Sequence, residues 1–291
     1  MPTVTRLLDC RCELGESPVW DAEHNRLIWC DINGKAVHAL EMASMKHDIW
    51  HFDGRVGSLG LCESGRLVLA IENQIKLFDM KTKELTLLAT MNFPNPARFN
   101  DGKVGPDGAF WVGNMDTRAD KQPTAILYRV TGDGKVEEKV HGLTIANGLA
   151  FSPDARTMYH SDSRGPWIDA WDLDPATGAI ANRRRVKTLT NEEGRPDGAA
   201  CDVNGNYWSS GISAHVLNQF SPEGKLLQKF VVPTILPTMP CFGGPDMKTI
   251  YISSSRENKT EAELAEWPDA GGIFTVTVDV AGVPVGKFRD R

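Results

Sequence analysis

The segment Pro106-Asp107-Gly108-Ala109-Phe110-Trp111-Val112 decides the fold, because it is one copy of a pattern that recurs along the chain. In each copy a polar turn of Asp, Asn, Gly or Pro residues precedes a short apolar run, which is typical of a turn that leads into a β-strand. The related segments are 21–29, 63–69, 152–159, 204–208 and 245–252. Their spacing of roughly 40–50 residues is the period of four-stranded propeller blades.

A second polar turn follows in most of the repeats and predicts the turn before the outermost strand of each blade. These turns are at 78–82, 130–134, 172–178 and 220–224. Amphipathic helical periodicity is nearly absent, and its one candidate, 260–267, is short and is expected within a loop. We therefore predict an all-β protein: a six-bladed β-propeller with four-stranded antiparallel blades, formed by residues 1–291 as a single domain.

The N-terminal segment offers a way to close the ring. Thr3–Leu8 alternates like a strand, and the last blade runs out after the segment Gly271–Val278. Pairing between the two would remove an exposed sheet edge. The alternative folds are a β-sandwich or two smaller β domains, but the even spacing and the spare strand favour the propeller.

Composition excludes several classes of protein. The chain has 291 residues, of which 41% are hydrophobic and 24% are charged, so it can bury a sizeable core and is not disordered or fibrous. Its net charge of −6 argues against a nucleic-acid partner. The densest basic run, Arg183-Arg184-Arg185, is expected to be a solvated turn or strand end.

No segment has the pattern of a signal peptide or the apolar length of a membrane span, so we expect a cytoplasmic protein without a membrane partner, monomeric or weakly self-associating. None of the cysteines forms a Cys-x-x-Cys pair, and we expect mostly buried, free thiols. A bridge between Cys10 and Cys12 is disfavoured because alternate residues of one strand lie too far apart. The six cysteines are Cys10, Cys12, Cys30, Cys62, Cys201 and Cys241.

Polar side chains recur at one phase of the repeat. Counting back about ten residues from the first large apolar residue of each unit reaches one position per blade. In blade order these positions are Glu16, Val56-Gly57, Asn100, Asn147, Asp197 and Met239-Pro240. The first strand of a blade lines the central channel, so the four polar side chains are expected to converge at one mouth of that channel.

A ring of inward carboxylates and amides is costly unless something satisfies it, and a hard cation with oxygen ligands would do so. Taken singly, Asn and Asp could be turn residues, but four in phase favour a metal site. Arg98 lies two residues before Asn100, so both would face the same side of an extended segment. An arginine beside such a site suits a polyhydroxylated or anionic substrate.

At these residues the sequence resembles the family of regucalcin, senescence-marker protein and gluconolactonase. The matching motifs follow the family order and span nearly the whole chain. They are Gly15–Trp20, Arg98–Lys103, Gly113–Asp116, Asn147–Leu149, Pro196–Gly198, Cys241–Gly244 and Ala270–Phe274.

The resemblance implies a six-bladed propeller with one divalent metal in its channel. It implies Glu16, Asn147 and Asp197 as metal ligands and Arg98 and Asn100 as substrate contacts. It also implies an acidic substrate contact after the Gly-x-Met motif. Asp116 is the nearest candidate here, although animal members place their acid slightly later, where this chain has Thr117 and Arg118.

The activity that the resemblance implies is hydrolysis of a sugar lactone to the open aldonic acid, and Asp197 is our candidate general base. The oxygen ligand set leaves calcium, zinc, manganese, magnesium and iron(II) open. One alternative is an organophosphate or aryl-ester hydrolase on the same scaffold. Another is a non-catalytic calcium-binding or scaffold propeller, which would bind metal without lactone turnover.

Overall fold

The computed structural model describes residues 2–93 and 95–291 and consists almost entirely of β-strands. The strands in chain order are β1 (Thr5–Leu8), β2 (Gly15–Asp21), β3 (Arg26–Asp31), β4 (Ala36–Glu41), β5 (His47–His51), β6 (Val56–Leu61), β7 (Leu67–Ile71), β8 (Gln74–Phe78), β9 (Leu85–Thr90), β10 (Ala97–Val104), β11 (Phe110–Asp116), β12 (Ala125–Val130), β13 (Val136–Leu143), β14 (Ala146–Phe151), β15 (Thr157–Asp162), β16 (Trp167–Leu173), β17 (Ile180–Thr188), β18 (Pro196–Cys201), β19 (Tyr207–Gly211), β20 (Val216–Phe220), β21 (Leu226–Val231), β22 (Pro237–Gly243), β23 (Thr249–Ser254) and β24 (Ile273–Thr277).

The strands form six antiparallel sheets of four, which are the blades of a propeller. Blades 1 to 5 are β2–β5, β6–β9, β10–β13, β14–β17 and β18–β21, and blade 6 is β22–β24 with β1 as its outermost strand. β1 pairs antiparallel with β24, with Thr5 opposite Thr275. The predicted fold class, blade number and N-terminal closure are confirmed.

The hydrophobic core lies between the blades. The innermost strand β2 is buried throughout, whereas the outermost strand β17 is largely exposed. Each of six apolar clusters joins two neighbouring blades, and the cluster with Trp20, Trp29 and Tyr251 joins blade 6 to blade 1. Burial of apolar area between sheets therefore holds the ring closed.

Every innermost strand carries a register shift against its neighbour, close to its first residues. The shifts lie between the residue pairs Glu16/Val19, Val56/Ser58, Phe99/Gly102, Asn147/Ala150, Pro196/Ala199 and Pro237/Pro240. A β-bulge bends its strand and re-aims the side chains beside it. The repeated bulge therefore turns one position of each blade toward the channel, at the end of the ring where the inner strands begin. We call this the upper end.

The C-terminal segment 279–291 crosses the lower end of the ring. Gly282 donates a backbone hydrogen bond to Met247 of blade 6, and Val283 donates one to Cys201 of blade 5. Farther along, Phe288 is fully buried against blades 2 and 3, and its N–H donates to Leu61 at 2.7 Å. The tail therefore ties the last blade to the early ones.

Smaller predictions have mixed outcomes. The helix α1 (Glu261–Glu266) lies in a loop as expected, with Thr260 and Glu263 forming a capping box, and a short 3-10 turn spans Ile212–Ala214. No helix in the described part of the chain has the length and hydropathy needed to span a bilayer.

The basic run Arg183–Arg185 is not a turn or a strand end. It lies inside β17, where Arg183 pairs with Asp169.

The cysteines are free thiols, and all but Cys10 are buried. The strand argument against a Cys10–Cys12 bridge is wrong in its premise, because the two residues lie outside any strand. Arg11 between them has a φ of 52°, in the left-handed region. This bend brings the two sulfur atoms to 3.5 Å, as a hydrogen bond between thiols.

Candidate metal centre

Five of the six candidate residues from the sequence lie buried at the upper end of the channel. Glu16, Asn147 and Asp197 sit at the bulges of β2, β14 and β18, and Arg98 and Asn100 sit at the start of β10. Their exposed fractions are between 3% and 7%. Polar groups this deeply buried require partners, because their desolvation is otherwise uncompensated.

A chain of side-chain hydrogen bonds connects blades 3 and 4 at this end. Arg98 donates from Nη1 to Asn100 Oδ1 at 2.8 Å, as their common side of β10 allows. Asn100 donates from Nδ2 to Asn147 Oδ1 at 2.9 Å and to the carbonyl of Ala146 at 2.9 Å. The Asn100 amide therefore has a partner at each end, and its orientation is fixed.

Ser163 carries the chain onward to blade 5. Asn147 donates from Nδ2 to Ser163 Oγ at 2.7 Å, and Ser163 donates to the carbonyl of Pro196 at 2.7 Å. Pro196 directly precedes Asp197, so Ser163 sets the position of two candidate ligands at once. Sequence reasoning missed Ser163, since it lies in the turn after β15 and not at the repeated phase.

The carboxylates of Glu16 and Asp197 are poorly satisfied by protein groups. Glu16 accepts one long hydrogen bond, from the N–H of Ser17 at 3.3 Å. Among the described residues, none donates a hydrogen bond to the carboxylate of Asp197. Burial, together with the negative charge of Asp101, raises the pKa of Asp197 to about 8. Burial, followed by the charges of Asp197 and Asp101, raises the pKa of Glu16 well above its usual value.

The arrangement fits a hard divalent cation. Two buried, ionised carboxylates repel each other. A cation bound between them would attract both, so the electrostatic energy of the pair would become favourable. Asn147 Oδ1 has a second lone pair beyond the one that Asn100 uses, and carboxylate and amide oxygens are the ligands that such ions prefer. Glu16, Asn147 and Asp197 are therefore the residues that would hold a metal.

Asp101 and Lys103 form the floor of this site. Asp101 Oδ2 accepts the N–H of Leu149 at 2.9 Å, and Lys103 reaches across the channel to donate to the carbonyl of Ala199 at 2.7 Å. Burial lowers the pKa of Lys103 and raises that of Asp101. Both residues follow Asn100 in the Arg98–Lys103 motif, but their depth in the channel has no sequence signal.

The sixth candidate, Asp116, ends β11 in a different setting. Arg118 donates to both of its carboxylate oxygens, at 3.0 and 2.6 Å, and the N–H of Gln122 donates to Oδ2 at 2.7 Å. These partners hold the pKa of Asp116 well below its usual range. Asp116 therefore organises the loop 117–124 at the upper end, and a direct contact with substrate stays a prediction.

Two other groupings of potential ligands have protein partners already. Asp31, near Cys12 and His38, accepts hydrogen bonds from three backbone N–H groups. Asp21, near Glu23 and His24, bonds to His24 and Arg26 at 2.8 Å each.

One partly enclosed cavity lies away from the candidate ligands. Its volume is about 140 Å³, and Lys103, Cys201, Phe242 and the C-terminal segment 283–286 line it at the lower end. Asp197 is not among the residues that line it. We therefore assign the chemistry to the channel mouth, where the oriented polar groups are.

Residues 14–256 match the model of the SMP-30/gluconolactonase/LRE-like family. The chain belongs to this family. It is 36% identical to a 6-deoxy-6-sulfogluconolactonase of Pseudomonas putida, over 92% of each chain, and 35% identical to the regucalcin of Bos taurus, over 94% of each. Among solved structures it resembles a calcium-binding regucalcin of Agrobacterium tumefaciens, with a TM-score of 0.92, 27% identity and coverage of 98% of this chain and 96% of that one.

Membership of this family gives the upper end of the channel a chemical context. The family carries the name of a gluconolactonase, and one close relative is itself named as a lactonase. Both findings support hydrolysis of a sugar lactone as the activity of this family member.

Proposed function

We propose that this protein hydrolyses a sugar lactone to the corresponding aldonic acid at one divalent metal ion held by Glu16, Asn147 and Asp197. The observation that carries the proposal is the pair of buried carboxylates, of which Glu16 accepts one long hydrogen bond and Asp197 accepts none from the described residues, beside an amide whose orientation is fixed. A purely structural polar cluster would have its acceptors satisfied by protein N–H groups. We further propose that the protein acts in sugar catabolism in the cytoplasm, as a monomer or weak oligomer.

Each residue has a defined task in the reaction. Asp197 accepts a proton from the attacking water, because its carboxylate would lie at the metal ion and accepts no hydrogen bond from the described protein groups. Arg98 lies beside Asn100 and directs its remaining N–H groups at sugar oxygens. Lys103 and Asp101 close the channel beneath and keep bulk water out of the site from below.

A bound divalent ion would supply polarisation of the lactone carbonyl and a lowered pKa of water. Calcium, magnesium and manganese suit the all-oxygen ligand set, and zinc and iron(II) are the other candidates. The regucalcin of Agrobacterium tumefaciens is a calcium-binding protein, which makes calcium the first ion to test.

A panel of aldono-lactones assayed by acid release tests the proposal, after chelation and again after each metal is restored. We expect turnover that disappears on chelation and returns with at least one ion. Asp197→Ala is expected to remove turnover and leave the protein folded. Asp48→Asn, on an exposed outer strand, is the matched control and should keep full activity.

Two outcomes would contradict the proposal. Full activity of Asp197→Ala would exclude the site. Metal binding with no lactone hydrolysis above the spontaneous rate would favour a non-catalytic calcium-binding propeller, and preference for aryl or phosphate esters would favour the alternative hydrolase.

A further inference from the structure

Three cationic side chains lie in loops at the upper end of the ring, the end that carries the candidate ligands. Lys121 lies in the loop between β11 and β12, Arg164 in the turn after β15, and Arg195 just before β18. Each of these segments is anchored at the start of an inner strand: Thr117 donates to the carbonyl of Pro96, and Ser163 donates to that of Ile145. The three cations therefore belong to the upper end.

Lys121 is held over the site by its own loop. Its Nζ donates to the carbonyl of Asp116 at 2.9 Å, and the carboxylate of Asp116 is occupied by Arg118. Its pKa is lowered, first by partial burial and then by the positive charge of Arg98, and Arg164 adds to this effect. A second, longer hydrogen bond runs from Nζ to the carbonyl of Arg118 at 3.4 Å. The ammonium group thus faces other cations and keeps one of its three donors for an anion.

Arg164 and Arg195 lie at the same end, between blades 4 and 5. Together with Ser163 they line a shallow groove at the upper end, and Arg164 is exposed while Arg195 is partly so. Across the described ranges, no carboxylate lies within 4.0 Å of the charged atoms of either side chain. Arg195 comes two residues before Asp197, at the start of the inner strand β18.

Two acidic groups oppose these cations, and the carboxylate of one of them, Asp116, is occupied by Arg118. Glu257, in the loop before α1, places a negative charge near Arg98 and Lys121, which offsets part of the lowering of their pKa values by burial. Asn33 donates to its Oε1 at 2.6 Å, which fixes it on the side of blades 1 and 6. The positive charge is therefore concentrated over blades 3 to 5, and the mouth is asymmetric.

We propose that Lys121, Arg164 and Arg195 form a subsite for an anionic substituent, so that the substrate is a sugar lactone with a sulfonate, phosphate or carboxylate group remote from its ring carbonyl. This proposal rests on the proposed function, since the carbonyl end of the substrate occupies the ligand site. A neutral lactone leaves the three cations solvated and gains nothing from them. An anionic group gains charge-assisted hydrogen bonds of the kind that arginine forks form with planar or tetrahedral anions.

The test compares gluconolactone with counterparts that carry a phosphate, a sulfonate or a carboxylate on the terminal carbon. We expect kcat/KM to be about tenfold or more higher for at least one anionic lactone, and this advantage to shrink as salt is added. The three anionic arms show which group the subsite prefers. The sulfonate is included because the relative from Pseudomonas putida is named as a lactonase for a sulfonated sugar lactone.

Lys121→Met, Arg164→Gln and Arg195→Gln test the side chains. Each is expected to lower kcat/KM for the preferred anionic lactone by about tenfold and to change it less than about twofold for gluconolactone. Arg156→Gln is the matched control, because Arg156 is an exposed arginine at the lower end and forms no ion pair with a carboxylate of the described residues. It should change neither value.

The failures of the two proposals are distinguishable. If neutral and anionic lactones are hydrolysed equally well and the three variants match the wild type, the subsite is wrong and the lactonase stands. If no lactone is hydrolysed with any metal, the proposed function is wrong. Calorimetric titration with phosphogluconate against gluconate then still decides the subsite: equal affinity for the two would overturn it, and tighter phosphogluconate binding lost in Lys121→Met would support it.

Discussion

At the scale of single residues, Ser163 contributes to the site without being a candidate ligand. Its hydroxyl accepts from Asn147 and donates to Pro196, so it fixes both the amide and the backbone before Asp197. Loss of an outer hydrogen-bond partner of a metal ligand typically lowers metal affinity about 10–100-fold. Ser163→Ala is therefore expected to weaken metal binding to that extent.

Calorimetric metal titration measures this effect, with thermal unfolding as the second readout. Ser210→Ala is the matched control, since Ser210 is fully buried and its hydroxyl has no partner in the described chain. Ser163→Thr keeps the hydroxyl and should restore most of the affinity. Unchanged affinity in Ser163→Ala would show that the amide of Asn147 does not need this support.

His160 couples stability to pH at the same scale. It is buried beside Trp167 and Trp171, and burial, with the charge of Arg183, lowers its pKa to about 3. In the unfolded chain the imidazole of His160 takes up a proton near pH 6.5, whereas in the native state it stays neutral at that pH. The contribution of His160 to the free energy of unfolding is therefore fully present above pH 6.5 and is lost as the pH falls below it. Between pH 6.5 and 4 the loss from His160 is expected to reach about 3 kcal/mol.

Urea unfolding at several pH values compares the wild type with His160→Phe. The variant should lose stability less steeply between pH 6.5 and 4, because the carboxylates contribute equally to both proteins and only the imidazole differs. Parallel slopes would mean that His160 takes up its proton in the folded state.

At the scale of elements, the β-bulge of each inner strand positions the site. Gly148 in the bulge of β14 has a φ of 64°, and a Cβ there would lie 2.2 Å from Tyr207 Oη and 2.3 Å from Ser161 Oγ. Gly148→Ala is expected to cost about 3 kcal/mol of stability and to displace Asn147. Denaturant unfolding and metal titration measure the two effects.

Gly142 provides a control of the same backbone type. Its φ is 75°, but no heavy atom lies within 4 Å of a Cβ built there. Gly142→Ala should cost about 1 kcal/mol, which is the backbone term alone. Equal losses in the two variants would show that the contacts with Tyr207 and Ser161 relax without cost.

The sequence predicted the strands and the residues at their bulges better than it predicted individual contacts. Turn–strand repeats such as Pro106–Val112 depend on local chemistry, so they predicted the second strand of each blade, and counting along the repeat reached the bulge positions of Glu16, Asn147 and Asp197. Ser163 and Lys121 escaped prediction because loops between strands do not share the period. Their placement follows from contacts across blades, which no local pattern encodes.

At the scale of the whole molecule, the two chain ends stabilise the ring in different ways. β1 completes blade 6, and the C-terminal tail crosses from blade 6 to blade 2. Phe288, fully buried between blades 2 and 3, anchors that tail. Phe288→Ala is expected to cost about 3–5 kcal/mol, since it leaves a cavity at the blade interface.

Equilibrium denaturation measures this loss, and Val231→Ala serves as control because Val231 is 71% exposed. The tail lies at the lower end, so metal affinity at the upper end should be unchanged where Phe288→Ala is still folded. A stability equal to that of the wild type would mean that the tail is dispensable for ring closure.

Lys103 determines by which end of the channel small molecules enter and leave. Its side chain bridges the channel from β10 to β18, and the tail covers the ring beyond it. The channel is thus closed at its lower end, and a ligand must enter and leave through the upper end. Product release and substrate binding therefore use the same opening, so a product that dissociates slowly would block binding of the next substrate.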